Sequence, residues 1–224
     1  MALFGLSKRI IVVTGHFGAG KTNVAVNLAL ALQQEGKRVT LIDFDIVNPY
    51  FRAADNRALL EAAGVRTILP TYANTNVDIP VIPAEVSSVF ADPDGIAIFD
   101  VGGDDVGATA LGVYRNQIAA AGYDMLYVCN CYRPLTADPA DAAALMRDIH
   151  GRAGLTCTAI VNNSNLGAET TPETVSDSFA WAEQVAKHCG LPICFDSTTL
   201  PDAPLSAHPR FLLRDVTRHI YNPF

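Results

Sequence analysis

The sequence predicts a doubly wound α/β domain with a mostly parallel sheet. Three observations carry that expectation. Apolar strand-like runs alternate with helical patterns along the chain, most of those runs are continuously apolar, and the first leads through a glycine-rich loop into a helix. Continuous apolar runs suit strands covered on both faces. Strand–helix alternation suits parallel pairing through right-handed crossovers.

The expected strands are Arg9–Thr14, Arg38–Asp43, Gly95–Val101, Asp124–Cys131, Thr156–Asn162 and Leu191–Phe195. A helix over Lys21–Glu35 closes at Gly36, a residue that tolerates the left-handed helix terminus. Asp138–Pro139 and Thr171–Pro172 each read as an N-cap followed by proline at the first helical position. Asn48–Pro49 repeats that arrangement after the second strand. Beyond Thr171, the side chains of Val175, Phe179, Ala182, Ala186 and Cys189 share one face, and Gly190 ends the helix. Residues 70–83 are the least regular and read as a surface loop. The segment from Phe211 to Ile220 is weakly amphipathic and reads as a closing helix.

Half of the 224 residues are hydrophobic and 17% are charged, enough for a sizeable core, so residues 1–224 are expected to form one domain. No stretch of about 18 apolar residues is present, and the first residues lack a secretory signal's apolar stretch and cleavage site. Five cysteines in no C-x-x-C pair suggest neither a disulfide framework nor structural zinc. These features point to a cytoplasmic protein. A net charge of −7 gives no electrostatic pull toward nucleic acid or an anionic membrane. Cys129-Asn130-Cys131 could in principle bind a soft metal, but buried free cysteines behave as small apolar residues, and that reading is preferred.

Gly15-His16-Phe17-Gly18-Ala19-Gly20-Lys21-Thr22 matches G-x-x-x-x-G-K-[ST] between a strand and a helix. Glycines let the backbone curl so that N–H groups converge on phosphate oxygens, and the helix N-terminus aims its dipole at the same anions. Lys21 is expected to reach the β and γ phosphates and to stabilise transition-state charge. Thr22 is expected to ligate magnesium. Asp100, at the end of its strand, is placed to hold a magnesium-bound water, and the Gly103 N–H to sense a γ-phosphate. The second strand ends in LIDFDIVNPYF. Strand ends converge on the ligand crevice in parallel sheets. Asp43 is therefore another candidate for a magnesium-bound water, and Asp45 for orienting or deprotonating the attacking water. A turn-capping role for Asp45 is the alternative.

GHFGAGKT, LIDFDIVNP and IFDVGG together resemble the MinD/ParA group of P-loop ATPases, in the wider class that includes the signal-recognition GTPases and dethiobiotin synthetase. DFDIVNPYFR also resembles a subset described only as nucleotide-binding. The resemblance implies ATP or ADP with magnesium, and a protein partner or nucleotide-dependent homodimer. In that group an asparagine at a late strand end contacts the base, which implies Asn162, with Asn163 as the alternate. Guanine-specific relatives follow that asparagine with Lys and, three positions after it, Asp. Asn163 and Asn165 occupy those places here, so adenine is expected. Leu200-Pro201-Asp202 resembles the loop that frames adenine, implying Pro201 and Asp202 as contacts; an ordinary turn is the alternative. His16 stands where the group carries a signature lysine that reaches a partner's nucleotide. A neutral imidazole supplies no such fixed charge.

Three functions are therefore expected to compete. The first is a slow, partner-controlling ATPase. The second is a nucleotide-gated binding module that hydrolyses little. The third is a small-molecule kinase or ligase of the dethiobiotin synthetase type, which requires a further substrate pocket.

Overall fold

The computed structural model describes residues 3–44, 56–69, 71–72, 80–81, 84–103 and 105–216. In chain order the elements are β1 (Ile10–Gly15), α1 (Lys21–Gln34), β2 (Val39–Phe44), α2 (Arg57–Ala62), β3 (Arg66–Ile68), β4 (Thr71–Tyr72), β5 (Pro80–Val81), α3 (Ser87–Ala91), β6 (Ile96–Val101), α4 (Asp105–Gly112), α5 (Arg115–Ala121), β7 (Tyr123–Cys129), α6 (Pro139–Ala153), β8 (Ala159–Asn162), α7 (Pro172–Cys189), β9 (Ile193–Thr198) and β10 (Arg210–Leu212).

Eight strands form one sheet in the order β10-β9-β8-β7-β1-β6-β2-β3, and every pairing in it is parallel. Strand alternation explains the continuous apolar runs. Ile10, Val12, Phe99, Met125, Tyr127 and Ile160 enter the core beneath α4 to α7. Ile11, Val13, Ile98, Leu126, Val128 and Val161 enter the core beneath α1. Successive residues thus serve opposite faces, and both faces are covered. Because all eight strands run the same way, their C-terminal ends share one rim. The order reverses beside β1, where β6 and β7 flank it. That switch point is where open α/β sheets leave a ligand crevice.

The caps expected at Asp138–Pro139 and Thr171–Pro172 form as written. Asp138 accepts from Ala140 N–H at 2.7 Å, Pro139 opens α6, and Gly154 closes it in the left-handed conformation. Thr171 and Thr174 make a reciprocal capping box at the start of α7. Among the described residues no helix is long and apolar enough to cross a membrane.

Three expectations need correction. Phe211 does not begin a helix: Arg210–Leu212 is a parallel edge strand on β9, with Phe211 packed against Phe4 and Phe195. Within the expected 70–83 loop, Thr71–Tyr72 pairs antiparallel with Pro80–Val81. Strand β9 runs past its apolar residues to Thr198, because the polar side chains there find partners. Asp196 accepts from Asn162, and Ser197 donates to Asn163. The helix start at Asn48–Pro49 lies outside the described residues.

Candidate phosphate site

β1 delivers the chain to the rim at Gly15, and α1 leaves it at Lys21. Between them the loop closes with Ala19 N–H donating to His16 O at 3.1 Å. Three loop carbonyls are held by side chains. Lys21 Nζ donates to His16 O at 3.0 Å, Arg133 Nε to Gly18 O at 2.8 Å, and Asn163 Nδ2 to Ala19 O at 2.7 Å. The N–H groups of Gly18 and Gly20 have no acceptor among the described residues. Carbonyls engaged from outside and N–H groups left open make an anion cradle. The helix continues it. Gly20 is the N-cap of α1 at φ 87°, with no side-chain cap over the first turn. A Cβ at Gly20 would collide with Asn163 Nδ2. This position therefore needs glycine for its backbone conformation and for its clearance.

Asp43 and Asp100 are register partners on β2 and β6, so their side chains leave the sheet side by side. Both are buried, at 3% and 1% exposure. Leu41 and Ile98, two residues earlier, face α1, and strand alternation sends both carboxylates to that same side. Thr22, half-buried, lies in the first turn of α1. A hydroxyl and two carboxylates are hard oxygen donors of the kind magnesium takes while keeping much of its water. No cluster of three or more His, Cys, Asp or Glu side chains forms among the described residues. Magnesium held by one or two carboxylates plus phosphate oxygens does not require one.

Gly103, beyond β6, presses on the loop. A Cβ there would lie 2.5 Å from Phe17 N and 2.6 Å from Lys21 Nζ. The segment after Asp100 is thus in contact with the loop and its lysine. His16 is half-buried, and Phe17 is 56% exposed. Burial lowers the His16 pKa, a backbone contact at Phe17 opposes that, and the Lys21 charge lowers it further. The ring is therefore held toward its neutral form. Asp45 lies outside the described residues.

The two asparagines at the end of β8 face opposite sides of the sheet. Asn162 faces α7: its Nδ2 donates to Ser178 and Asp196, and its Oδ1 accepts from Ser164. Its polar atoms are engaged within the fold, on the side of the sheet opposite the loop. Asn163 points to the opposite face and joins Ala19 O to the Ser197 hydroxyl. Asn165 closes its own turn through Asn163 O and Gly167 N–H. Pro201 and Asp202 are exposed just beyond β9, at the same rim as the loop. Cys129 is buried in the α6/α7 core, as its preferred reading required. Cys131 has left the strand, because Asn130 turns the chain: its Oδ1 accepts from Tyr132 N–H and its carbonyl from Thr136 Oγ1. Sequence reasoning missed Arg133, which this turn brings to Gly18.

A protein-family model described as "ParA: NUBPL iron-transfer P-loop NTPase" matches residues 5–82, the span holding β1, the loop, α1 and β2. Over that span the chain is similar to the MinD/ParA-like P-loop NTPases. It is 32% identical over 105 residues to the cytosolic Fe-S cluster assembly factor cfd1 of Emericella nidulans, covering 47% of this chain and 29% of that protein. It is 47% identical over 60 residues to the iron-sulfur cluster carrier protein of Haemophilus influenzae, covering 25% of this chain and 16% of that one. The chain thus spans less than a third of these relatives. Its fold is similar to the signal recognition particle 54 kDa protein of Aeropyrum pernix in complex with GDP, with TM-score 0.55 at 20% identity over 84% of this chain and 40% of that one. Chloroplast FtsY of Physcomitrella patens also gives TM-score 0.55, at 14% identity over 86% of this chain and 59% of that one.

Proposed function

We propose that this P-loop NTPase binds ATP with magnesium at Gly15–Thr22, hydrolyses it slowly, and uses the nucleotide state to control a protein partner. The observation that carries the reading is the loop itself. Its carbonyls are engaged by Lys21, Arg133 and Asn163, while the N–H groups of Gly18 and Gly20 have no acceptor among the described residues, beside the first turn of α1 that no side chain caps. Lys21 and the loop N–H groups would bind the phosphates and stabilise the charge that develops during transfer. Thr22, Asp43 and Asp100 would hold magnesium directly or through its water, and the ion would neutralise charge on the phosphates. Asp45, two residues beyond Asp43, would orient the attacking water. Adenine is favoured because Asn165 carries no carboxylate to accept the guanine N–H groups.

The named relatives handle iron–sulfur clusters, which makes an iron–sulfur assembly protein the first partner class to test. The chain's own cysteines favour a partner over a cluster of its own. Cys129 and Cys157 are buried in the core, and the five cysteines include no C-x-x-C pair. The neutral tendency of His16 supports a second reading, a nucleotide-gated module with little turnover.

The test is equilibrium binding of MgATP and MgGTP, followed by phosphate release with and without candidate partners. Tight MgATP binding with slow, partner-stimulated release is expected. Absence of binding to either nucleotide sinks the reading. Asp45→Asn separates the alternatives. It abolishes turnover while sparing affinity in an ATPase, and leaves partner binding intact in a gated module.

A further inference from the structure

Arg133 belongs to the turn between β7 and α6, not to the phosphate motif, yet it stands on the loop. Its Nε donates to Gly18 O at 2.8 Å. A Cβ on Gly18 would touch Nε, Cδ and Cζ at 3.5, 3.7 and 3.8 Å, so the guanidinium end lies along this loop position. The Arg133 backbone is held in place. Its N–H donates to Asn130 O at 3.3 Å, and its carbonyl accepts from Thr136 N–H at 2.9 Å. Asn130 and Thr136 are themselves buried. The arginine is therefore built into the rim. Among the described residues its two Nη groups make no hydrogen bond. They remain available beside a loop whose second residue, His16, is held toward neutrality.

We propose that Arg133 contacts the terminal phosphate of the bound nucleotide through its Nη groups, supplying from the β7–α6 turn a second positive charge beside that of Lys21. The inference rests on nucleotide binding at Gly15–Thr22 as proposed above. A guanidinium presents planar paired donors that match phosphate oxygens, and its charge persists at any physiological pH. One charged contact to the last phosphate favours ATP over ADP, because ADP lacks that group.

The experiment measures MgATP and MgADP affinity by calorimetry at low and high salt. It uses the unaltered chain, Arg133→Ala, Arg133→Gln and Arg133→Lys, each first checked for an unchanged melting temperature. Arg133→Ala is expected to weaken MgATP about tenfold to a hundredfold and MgADP less, with the gap narrowing at high salt. Arg133→Gln keeps a neutral donor for Gly18 O and should behave like Ala, while Arg133→Lys recovers part of the loss. Adding His16→Lys to Arg133→Ala should restore the preference for ATP by returning charge to the loop. Unchanged MgATP affinity in Arg133→Ala overturns the inference. So does an equal loss for ATP and ADP that Arg133→Gln repairs, since that marks a loop tether. If the unaltered chain binds neither nucleotide, the proposed function falls, and this inference falls with it. If Arg133→Ala does not fold, the contrast between Gln and Lys decides.

Discussion

At the residue scale the site depends on a few polar side chains whose partners are backbone atoms of one loop. Lys21 holds His16 O in this structure and is the principal charge available to phosphate. Lys21→Ala should weaken MgATP by roughly two orders of magnitude, in line with loss of a charged hydrogen bond at a partly desolvated site. Retained affinity in a titration would refute its role. Asn163 is buried and holds two elements at once, the loop through Ala19 O and β9 through Ser197. Asn163→Ala should cost about 1–3 kcal/mol in urea unfolding, because it strands a buried carbonyl and a hydroxyl. It should also weaken nucleotide binding, since the loop loses its inner brace. Gly103→Val should reduce MgATP affinity and also lower the melting temperature, because its Cβ meets the backbone of His16 and Phe17 as well as Lys21 Nζ. Its new side chain would compete with Lys21 Nζ and Phe17 N for the same space.

At the element scale the turns between helices and strands carry the conditional stability. α6 hands over to β8 through His150, whose Nε2 accepts the Cys157 backbone N–H at 2.8 Å. Only a neutral ring with Nε2 bare can accept that bond. Burial lowers the His150 pKa from its ordinary 6.5. The unfolded chain therefore takes up the proton first as pH falls. The stability from this group is full above about pH 6.5 and is lost as pH drops through the lower folded value. His16 is lowered by burial as well and adds a slope of the same sign. Thermal melts across pH 5–8, a window set by ordinary histidine titration, should show destabilisation on the acid side. His150→Gln should flatten part of that slope. Stability that rises on acidification would contradict the assignment. The start of α7 is a smaller case: Thr171→Ala removes half of the capping box and should cost about 1 kcal/mol.

At the scale of the whole molecule, loops from β1, β6, β7, β8 and β9 meet at the one rim where all strands end. Nucleotide touching several of these loops would tie distant parts of the sheet together. Saturating MgATP should therefore raise the melting temperature, by the equivalent of about 2.7 kcal/mol at a hundred times Kd. Lys21→Ala should remove that rise at the same concentration. A shift that persists in Lys21→Ala would place nucleotide elsewhere on the molecule.

By itself the sequence determined the features whose physics is local. The phosphate loop is a contiguous motif, each helix cap sits within three residues of its donor, and a strand covered on both faces must be apolar throughout. Those rules located β1, α1, β2, β6, α6 and α7, with the paired Asp43 and Asp100 at their strand ends. The tertiary structure decided what depends on residues far apart in the chain. Whether Asn162 or Asn163 faces the loop is a matter of strand parity, and moving one residue along β8 reverses the face. Strand β10 exists because Arg210 anchors to Ala203 and Phe211 fills a niche beside Phe4 and Phe195; its own residues do not announce a strand. The last strand residues of β9 are polar, and only their partners Asn162 and Asn163 make them compatible with burial. Arg133 lies 115 residues from Gly18, and no spacing rule links them. The turn at Asn130 brings the guanidinium to the loop, so the second charge at the phosphate site belongs to the fold and not to the motif.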